Sequence, residues 1–309
     1  MRQELDAPVG RRVTVGEHKL WIHRSGDGWP ATVFVPGAGS VGLDFLLAHE
    51  QVAQLTTSVL YDRAGTGWSD NADLPRTADQ VTDELRAVLR AIGLPPPYLL
   101  VGHSLGAVYV QRFAQRFPDE VGGMLLLEPA HEDWDLYQPE HLRLAANQSG
   151  DVELPELSDD LLARVRGYFE VMLAGFPASI RTQLIDKRLS PERVFTGFQE
   201  GGRQLEDLDD LRNGGARPDM PLIILSGTDV DPSQTMFQPE ELVREQIRGS
   251  ERLFDAIAAA APRGEHRSLP DASHPTIPMA RPDAVATAVE DLLAQISLGA
   301  DDGSRASRY

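Results

Sequence analysis

Tyr98-Leu-Leu-Val-Gly102-His-Ser104-Leu-Gly106 is an apolar run that passes directly into the pattern Gly-x-Ser-x-Gly. The apolar run predicts a buried strand, and residues 107–117 carry a helical pattern directly after it. A sharp strand-to-helix turn of this kind lifts a serine hydroxyl above the carboxyl end of a sheet, and its strained backbone excludes side chains at the flanking positions. Gly102 and Gly106 meet that requirement, so the sequence predicts Ser104 as a nucleophile.

Further apolar runs lie on both sides of this segment and alternate with helical patterns. The runs occupy residues 31–35, 57–61, 98–101, 123–127 and 221–225, and the helical patterns occupy residues 77–92, 107–117, 240–260 and 282–296. Short runs rich in β-branched residues are typical of buried parallel strands. Their alternation with helices predicts an α/β fold with a doubly wound, mostly parallel sheet. An earlier strand at residues 18–24 suits the antiparallel edge that such sheets often carry.

Residues 131–218 interrupt this alternation with a helical insertion, in which apolar residues follow the 3-and-4 spacing of an amphipathic helix. They are Leu161, Leu162, Val165, Tyr168, Phe169 and Met172. We therefore expect residues 1–130 and 219–298 to form one core domain and residues 131–218 to form a separate helical unit. The polar, aperiodic residues 299–309 predict a disordered tail.

The insertion also contains an acidic run, made up of Glu206, Asp207, Asp209 and Asp210. Acidic residues at helical spacing are more often a solvated helix face than a metal site. The sequence therefore predicts no metal centre in the insertion.

Composition and charge exclude several classes of function. The chain has 309 residues, a formal net charge of −18 and no cysteine. No basic stripe offsets this charge, which argues against a nucleic-acid partner, and the lack of cysteine excludes disulfides, thiolate metal sites and cysteine nucleophiles. Residues 1–16 show no secretory pattern, and the apolar run at residues 253–261 is far shorter than the roughly 20 residues that a bilayer requires. We expect a cytoplasmic protein without a membrane partner; the oligomeric state stays open.

A serine hydroxyl becomes an effective nucleophile when an imidazole takes its proton and a carboxylate orients that imidazole. With a nucleophile on a strand-to-helix turn, the chain order is serine, acid, histidine. Four histidines follow Ser104: His131 and His141 at the start of the insertion, His266 in the last strand, and His274 in the loop after that strand. Its position in that loop favours His274 as the general base.

The carboxylate partner is expected after the strand at residues 221–225. Asp229 and Asp231 both lie there, and Asp229 is preferred because Asp231 directly precedes Pro232 and suits a turn. Glu128, at the end of an earlier strand, is a third candidate, although its position favours a role in stabilising the start of the insertion.

Negative charge that develops on a carbonyl oxygen requires preorganised donors, which backbone amides after tight turns supply. One donor is expected to be the amide of Leu105. The second is expected in the loop Pro36-Gly-Ala-Gly39, where Ala38 is the first choice and Gly39 the alternative.

Three motifs together resemble the α/β-hydrolase family, and the resemblance covers nearly the whole chain. Gly102-His-Ser-Leu-Gly106 is similar to the family's nucleophile elbow. Residues 62–69, Asp-Arg-Ala-Gly-Thr-Gly-Trp-Ser, resemble its Asp-Arg-x-Gly-x-Gly-x-Ser loop, and Asp271-Ala-Ser-His274 resembles its histidine loop. The resemblance implies the α/β-hydrolase fold, and it implies that the insertion is a cap, or lid, that covers the site and selects the substrate.

Two stretches depart from the family pattern. The family often has His-Gly where this chain has Pro36-Gly37, a change that keeps a backbone donor. The spacing from Gly227 to Asp229 is one residue shorter than is common, which leaves the acid open between Asp229 and Asp231. Serine at the nucleophile position argues against haloalkane dehalogenases and epoxide hydrolases, because those members of the family use a carboxylate nucleophile.

A rival interpretation starts from residues 37–42, Gly-Ala-Gly-Ser-Val-Gly, which follow a strand and match Gly-x-Gly-x-x-Gly. Asp62 ends the next strand about 25 residues later, close to where a dinucleotide-binding fold places its ribose-binding acid. This pattern would indicate an NAD-dependent oxidoreductase. It leaves the serine turn unexplained, and Asp62 also belongs to the hydrolase-like loop, so the hydrolase interpretation is favoured.

The sequence thus predicts cleavage of a small-molecule carboxylic ester or lactone through an acyl-serine, without cofactor or metal. Amidase, peptidase or acyltransferase activity stays open on the same triad, and a non-catalytic ligand-binding protein is the alternative from another class. Aromatic and apolar residues of the insertion are the candidates for substrate contact: Trp134, Tyr137, Tyr168, Phe169 and Met172.

Overall fold

The computed structural model describes residues 7–144, 158–235 and 238–306, and its centre is an eight-stranded sheet. The strand order is β1-β2-β4-β3-β5-β6-β7-β8. β2 pairs antiparallel with β1 and with β4, and the remaining pairs are parallel. The predicted α/β class with a mostly parallel sheet is confirmed. The strands are β1 (Arg11–Val15), β2 (His18–Ser25), β3 (Thr32–Val35), β4 (Ser58–Tyr61), β5 (Tyr98–His103), β6 (Val121–Leu127), β7 (Leu222–Gly227) and β8 (Gly264–Leu269).

Helices connect these strands and cover both faces of the sheet. In chain order they are α1 (Leu46–Val52), α2 (Ala78–Ala91), α3 (Leu105–Arg116), α4 (Trp134–Tyr137), α5 (Asp159–Met172), α6 (Ala178–Arg188), α7 (Pro191–Gly202), α8 (Gln204–Asn213), α9 (Pro232–Thr235), α10 (Glu240–Ala260), α11 (Ile277–Ala280) and α12 (Pro282–Ala306).

The central strand β5 shows how the sheet separates two apolar layers. Leu100 belongs to the layer that contains residues of α2 and α3, whereas Leu99 and Val101 belong to the layer that contains residues of α1 and α12. Successive side chains of a strand point to opposite faces, so a strand buried on both faces is apolar throughout. This explains why the parallel strands β3 to β7 could be recognised as continuous apolar runs, unlike the edge strand β8.

The antiparallel edge differs from the sequence prediction by one strand. The strand predicted at residues 18–24 is β2, but β1 lies outside it and forms the edge. β1 reads Arg-Arg-Val-Thr-Val, and its residues are exposed or only partly buried. A short strand with one half-buried face carries too few apolar residues to stand out in the sequence.

The helices α4 to α8 occupy the insertion between β6 and β7. The amphipathic pattern around Tyr168 becomes α5, whose first turn is capped by the Ser158 side chain as it accepts the Leu161 amide. One part of the acidic run departs from the predicted solvated face. Asp207 in α8 is fully buried, and its Oδ1 accepts the amide of Ala78 at the start of α2 at 3.0 Å. Burial raises the pKa of Asp207 to about 6.

The last helix reaches beyond its sequence prediction. α12 continues to Ala306, into the segment where the sequence predicts a disordered tail, and residues 307–309 lie outside the described residues. Extension of an existing helix costs far less than nucleation, so weak helix formers can follow a strong amphipathic segment. Within the described residues, no helix is long and apolar enough to span a membrane.

Candidate active site

Ser104 lies at the junction between β5 and α3 in a conformation that L residues rarely adopt, with φ 52° and ψ −120°. The surrounding backbone enforces this turn. A Cβ at Gly106 would lie 2.1 Å from the carbonyl oxygen of Val35, and one at Gly102 would lie 2.7 Å from Cα of Ala107. Strain of this kind persists when its surroundings leave the chain no alternative, and it is concentrated at functional sites. The turn holds the Ser104 side chain at the carboxyl end of the sheet.

His274 faces this serine from the loop between β8 and α11. Its Nε2 lies 3.1 Å from Ser104 Oγ. The loop is fixed locally because the amide of Ser273 donates to Thr276 Oγ1 at 2.8 Å and the amide of Thr276 donates back to the carbonyl of Ser273 at 2.9 Å. The predicted pair of Ser104 and His274 is therefore brought together.

A second histidine, His103, holds the same loop from the opposite side. Its Nε2–H donates to the main-chain carbonyl of His274 at 2.8 Å. Burial, together with the adjacent His274, lowers the pKa of His103 to about 3. His103 is thus a neutral donor with its proton on Nε2. Sequence reasoning did not assign it a role, because it is the variable position of Gly-x-Ser-x-Gly.

The carboxylate that faces His274 comes from Glu128, the residue after β6. Its Oε2 lies 3.3 Å from His274 Nδ1, and its Oε1 accepts the amide of Gly227 at 2.7 Å. Glu128 has φ 45°, so its backbone is also in the left-handed region. Its side chain is only 9% exposed. Glu128, the third of the sequence candidates, completes a line of hydrogen bonds with Ser104 and His274.

The preferred acid, Asp229, does not make this contact, and neither does its alternative, Asp231. Asp229 Oδ1 accepts the amide of Val230 at 2.8 Å. Asp231 Oδ1 accepts the amide of Ser233 at 2.8 Å and the hydroxyl of Tyr168 at 3.2 Å. Both carboxylates are engaged by their own turn, as is usual for Asp near a helix start. The expected pairing of His274 with Asp229 is thus replaced by the pairing with Glu128.

The predicted oxyanion loop lies directly against the serine turn. A Cβ at Gly37 would lie 3.1 Å from Ser104 Cβ, so the loop that carries the Ala38 amide borders Ser104. The alternative donor is already engaged, because the amide of Gly39 donates to Glu200 Oε2 at 2.9 Å. Leu105 is the first residue of α3, where helical amides lack partners within the helix. This arrangement favours Ala38 and Leu105 as the pair of donors.

The dinucleotide-binding interpretation required Asp62 to face a ligand. Asp62 is instead fully buried, and its two carboxylate oxygens accept the amides of Gly42 at 2.7 Å and Trp68 at 2.8 Å. Burial raises its pKa to about 6. Both oxygens of the Asp62 carboxylate are thus occupied by backbone amides, and neither is oriented to accept a hydrogen bond from a ribose.

Two cavities meet at His274. A cavity of about 390 Å³ has a mostly apolar lining that includes Tyr168, Phe169 and Met172 of α5. A second cavity of about 210 Å³ is lined by residues that include Ser104 and Trp134. Four of the five predicted contact residues therefore line these two cavities.

Tyr137 does not belong with that group. It lines a separate cavity of about 510 Å³ together with Arg217 and Leu253, on the side of α10. Trp134 and Tyr137 lie at opposite ends of the one-turn helix α4. Because they contact different cavities, proximity in sequence did not predict a shared pocket. Within residues 7–144, 158–235 and 238–306, no group of three or more His, Cys, Asp or Glu side chains could hold a metal ion.

The sheet, the strained serine turn and the facing histidine and glutamate are the features of an α/β hydrolase. The chain belongs to the alpha/beta hydrolase family, whose model matches residues 32–288.

Individual relatives differ in how similar their sequences and structures are to this chain. The uncharacterized protein YqjL of Bacillus subtilis is 37% identical over 111 residues, which cover 36% of this chain and 44% of that protein. The chain thus spans less than half the length of the first curated relatives it matches. A thermophilic esterase from Thermogutta terrifontis superposes with a TM-score of 0.60 at 18% identity, covering 93% of this chain and 99% of that one. The epoxide hydrolase CorEH gives a TM-score of 0.63 at 16% identity, covering 93% and 98%. At such identities the structures share the fold, and a fold alone does not determine the reaction.

Proposed function

We propose that this protein is a serine hydrolase that cleaves a carboxylic ester bond through an acyl-serine intermediate. The observation that carries the proposal is the continuous line of hydrogen bonds from Ser104 Oγ through the His274 ring to Glu128. A Ser–His–carboxylate line of this geometry is the arrangement that activates a serine hydroxyl in unrelated hydrolases.

The proton positions follow from this geometry. Glu128 accepts the Nδ1 proton of His274, which leaves Nε2 as the acceptor for the hydroxyl of Ser104. Ser104 Oγ attacks the ester carbonyl carbon while its proton passes to Nε2. The amides of Ala38 and Leu105 receive the charge that develops on the carbonyl oxygen. Glu128 stabilises the imidazolium that forms.

The second half of the reaction uses the same groups in reverse. The imidazolium of His274 gives its proton to the leaving alkoxide oxygen, and the alcohol departs as the C–O bond breaks. Water then attacks the acyl-serine while His274 takes one of its protons. Collapse of this second tetrahedral species releases the carboxylic acid and returns the proton to Ser104 Oγ. No cofactor enters these steps.

The cavities indicate the class of ester. Of the two cavities that meet at His274, the larger, of about 390 Å³, has enough volume for one substantial apolar group, since small-molecule pockets begin at about 300 Å³. Its apolar wall is formed by Tyr168, Phe169 and Met172, so the insertion acts as the cap that selects this group. We therefore expect a small-molecule ester with an apolar acyl or alcohol moiety, and lactones of similar size are the nearest alternative.

The decisive experiment combines covalent labelling with turnover. An alkyl fluorophosphonate loses fluoride to an activated serine, and intact-mass measurement should show one adduct on the wild type and none on Ser104→Ala. Ser226→Ala is the matched control, because Ser226 also contacts a histidine yet should leave labelling unchanged. The wild type should also release the alcohol of activated esters, with rates that rise as the apolar group fills the larger cavity.

Two results would overturn the proposal. Labelling retained in Ser104→Ala would place the nucleophile elsewhere. Tight binding of small apolar ligands without labelling or ester turnover would identify a non-catalytic binding protein on this fold.

A further inference from the structure

Arg63 lies directly below the oxyanion loop with no exposed side-chain surface. Its NH1 donates to the carbonyl of Pro36 at 2.5 Å, and its NH2 donates to the carbonyl of Gly37 at 2.8 Å. Both acceptors belong to the loop that precedes the Ala38 amide. A planar guanidinium with several fixed donors constrains the direction of the groups that it binds. The orientation of the loop thus depends on where Arg63 is held.

Glu200, on α7 in the insertion, holds Arg63 in this place. Its Oε1 accepts Arg63 Nε at 2.9 Å and its Oε2 accepts Arg63 NH2 at 2.9 Å, a bidentate pair with side chains 0% and 5% exposed. Burial alone would disfavour the charged guanidinium, but Glu200 more than offsets it, and the pKa of Arg63 lies above its usual range. The buried charge of Arg63 is therefore balanced by a carboxylate from the insertion.

The same carboxylate also binds the oxyanion loop directly. Glu200 Oε2 accepts the amide of Gly39 at 2.9 Å. The backbones meet as well, because a Cβ at Gly197 of α7 would lie 3.1 Å from Gly39 Cα. One side chain of the insertion thus fixes the loop at three points, two through Arg63 and one at Gly39.

We propose that Glu200 is a positioning residue that sets the oxyanion hole from the insertion. It occupies the Gly39 amide and, through Arg63, orients the carbonyls of Pro36 and Gly37, so that the Ala38 amide is left directed toward Ser104. The oxyanion hole is then correctly formed when α7 packs against the loop Pro36–Gly39. This inference rests on the proposed serine-hydrolase function.

A positioning role predicts effects on the transition state that a merely structural role does not. A displaced oxyanion donor weakens binding of a tetrahedral species, whereas the ground-state complex, with its neutral carbonyl, depends on that donor much less. The loss should therefore appear in kcat and in the affinity for a tetrahedral mimic, with KM and the affinity for a product acid nearly unchanged.

The test compares Glu200→Gln with Glu192→Gln, a control at an exposed position of the same helix. In Glu200→Gln one carboxylate oxygen becomes an NH2 group, which cannot accept a hydrogen bond from Arg63 or from the Gly39 amide. We expect kcat on an activated ester to fall about 10- to 100-fold, and the affinity for an alkyl boronic acid to fall by a similar factor. Glu192→Gln should match the wild type in both. Ser104 labelling by fluorophosphonate should persist at a lower rate.

A second variant approaches the loop without changing any charge. Gly197→Ala keeps the pair between Glu200 and Arg63, favours the helix, and presses a methyl group against Gly39. It should lower kcat several-fold at an unchanged melting temperature. It decides the question even where Glu200→Gln fails to fold.

The outcomes separate the two proposals. Unchanged kcat and boronic-acid affinity in either folded variant would overturn the positioning role, and so would equal losses of boronic-acid and product affinity. Absence of labelling and turnover in the wild type would instead overturn the serine-hydrolase function itself.

Discussion

Two clusters in this molecule combine a serine, a histidine and carboxylates, and they differ in what the serine proton can do. In the elbow cluster (Ser104, His274 and Glu128), the hydroxyl lies 3.1 Å from a histidine nitrogen that is free to accept. The edge cluster lies between β7, β8 and α10 and consists of Ser226, His266, Glu251 and Asp255. In it, the Ser226 hydroxyl donates to Glu251 Oε1 at 2.5 Å. The Ser226 proton is therefore committed to Glu251, while His266 faces Ser226 Oγ through Nε2 at 2.7 Å and Asp255 through Nδ1 at 2.8 Å.

The backbone sets these two serines apart as strongly as their partners do. Ser226 lies inside the regular strand β7 and is completely buried. Ser104 lies on a strained turn, lines the cavity of about 210 Å³, and has Gly37 of the predicted oxyanion loop packed against its Cβ. Residue types at hydrogen-bond distance are thus insufficient for a nucleophile. The hydroxyl also needs a free proton acceptor, access to substrate and donors for the oxyanion.

The sharpest test of this comparison removes one histidine from each cluster. His274→Ala should lower kcat on an activated ester by on the order of 10⁴- to 10⁶-fold, because it removes the proton acceptor of Ser104. His266→Ala should retain most of the activity and lose stability, since it removes a buried ring that packs against Phe254 and contacts Ser226. Steady-state kinetics and urea unfolding of both variants provide the measurements. Comparable losses of kcat would remove the distinction between the clusters.

A smaller effect is expected at the carboxylate of the elbow cluster. Glu128→Gln should lower kcat roughly 10³-fold, because a carboxamide neither fixes the Nδ1–H tautomer of His274 nor stabilises the imidazolium. Asp229→Asn should leave kcat close to the wild-type value, since its carboxylate serves the amide of Val230. Asp231→Asn is a second comparator and should act mainly on KM through the larger cavity. If Asp229→Asn were the most damaging of the three, the pairing of His274 with Glu128 would not be the functional one.

The smallest effect concerns the stability contributed by His103, which supports the His274 loop. Its pKa of about 3 lies below the value of about 6.5 in an unfolded chain, so the unfolded state binds more protons at acidic pH. Its contribution to stability is fully present above about pH 6.5 and is lost as the pH falls toward 3. His103→Gln keeps a donor for the His274 carbonyl but cannot titrate. The free energy of unfolding should therefore fall less between pH 7 and pH 5, by about 2 kcal/mol relative to the wild type. Equal pH dependence in urea unfolding of the two proteins would show that His103 is not held neutral.

Much of this site could be predicted from sequence because its signals are local. The motif Gly-x-Ser-x-Gly is contiguous, a Cβ at Gly102 would clash with Ala107 only five residues on, and His274 is set apart by its place after the last strand. The acid could not be chosen this way. β6 and β7 are neighbours that end at the same edge of the sheet, so Glu128 and Asp229 both reach the region. The structure favours Glu128, whose backbone is left-handed and whose carboxylate accepts the amide of Gly227 on the neighbouring strand.

Long-range contacts account for the remaining differences. The position of Gly39 in its loop makes its amide a reasonable oxyanion donor, but Glu200, 161 residues away, accepts that amide. Asp207 belongs to an acidic run that suggests a solvated face, yet it is buried against the start of α2. β1 was missed because an edge strand needs little apolar surface. Pairings of this kind leave no periodicity in either partner's sequence.

The two outer strands of the sheet have a consequence for how copies of this protein behave at high concentration. Each outer strand has one row of peptide groups that faces away from the sheet, and such rows can recruit a strand from another chain into a growing aggregate. β1 presents Arg11 and Arg12, and β8 presents Glu265 and Arg267. Any strand added at either side would have to strip water from these charges. Among the described residues, the sheet thus ends on each side in a strand with a single paired neighbour, while the charges of these strands discourage edge-to-edge aggregation.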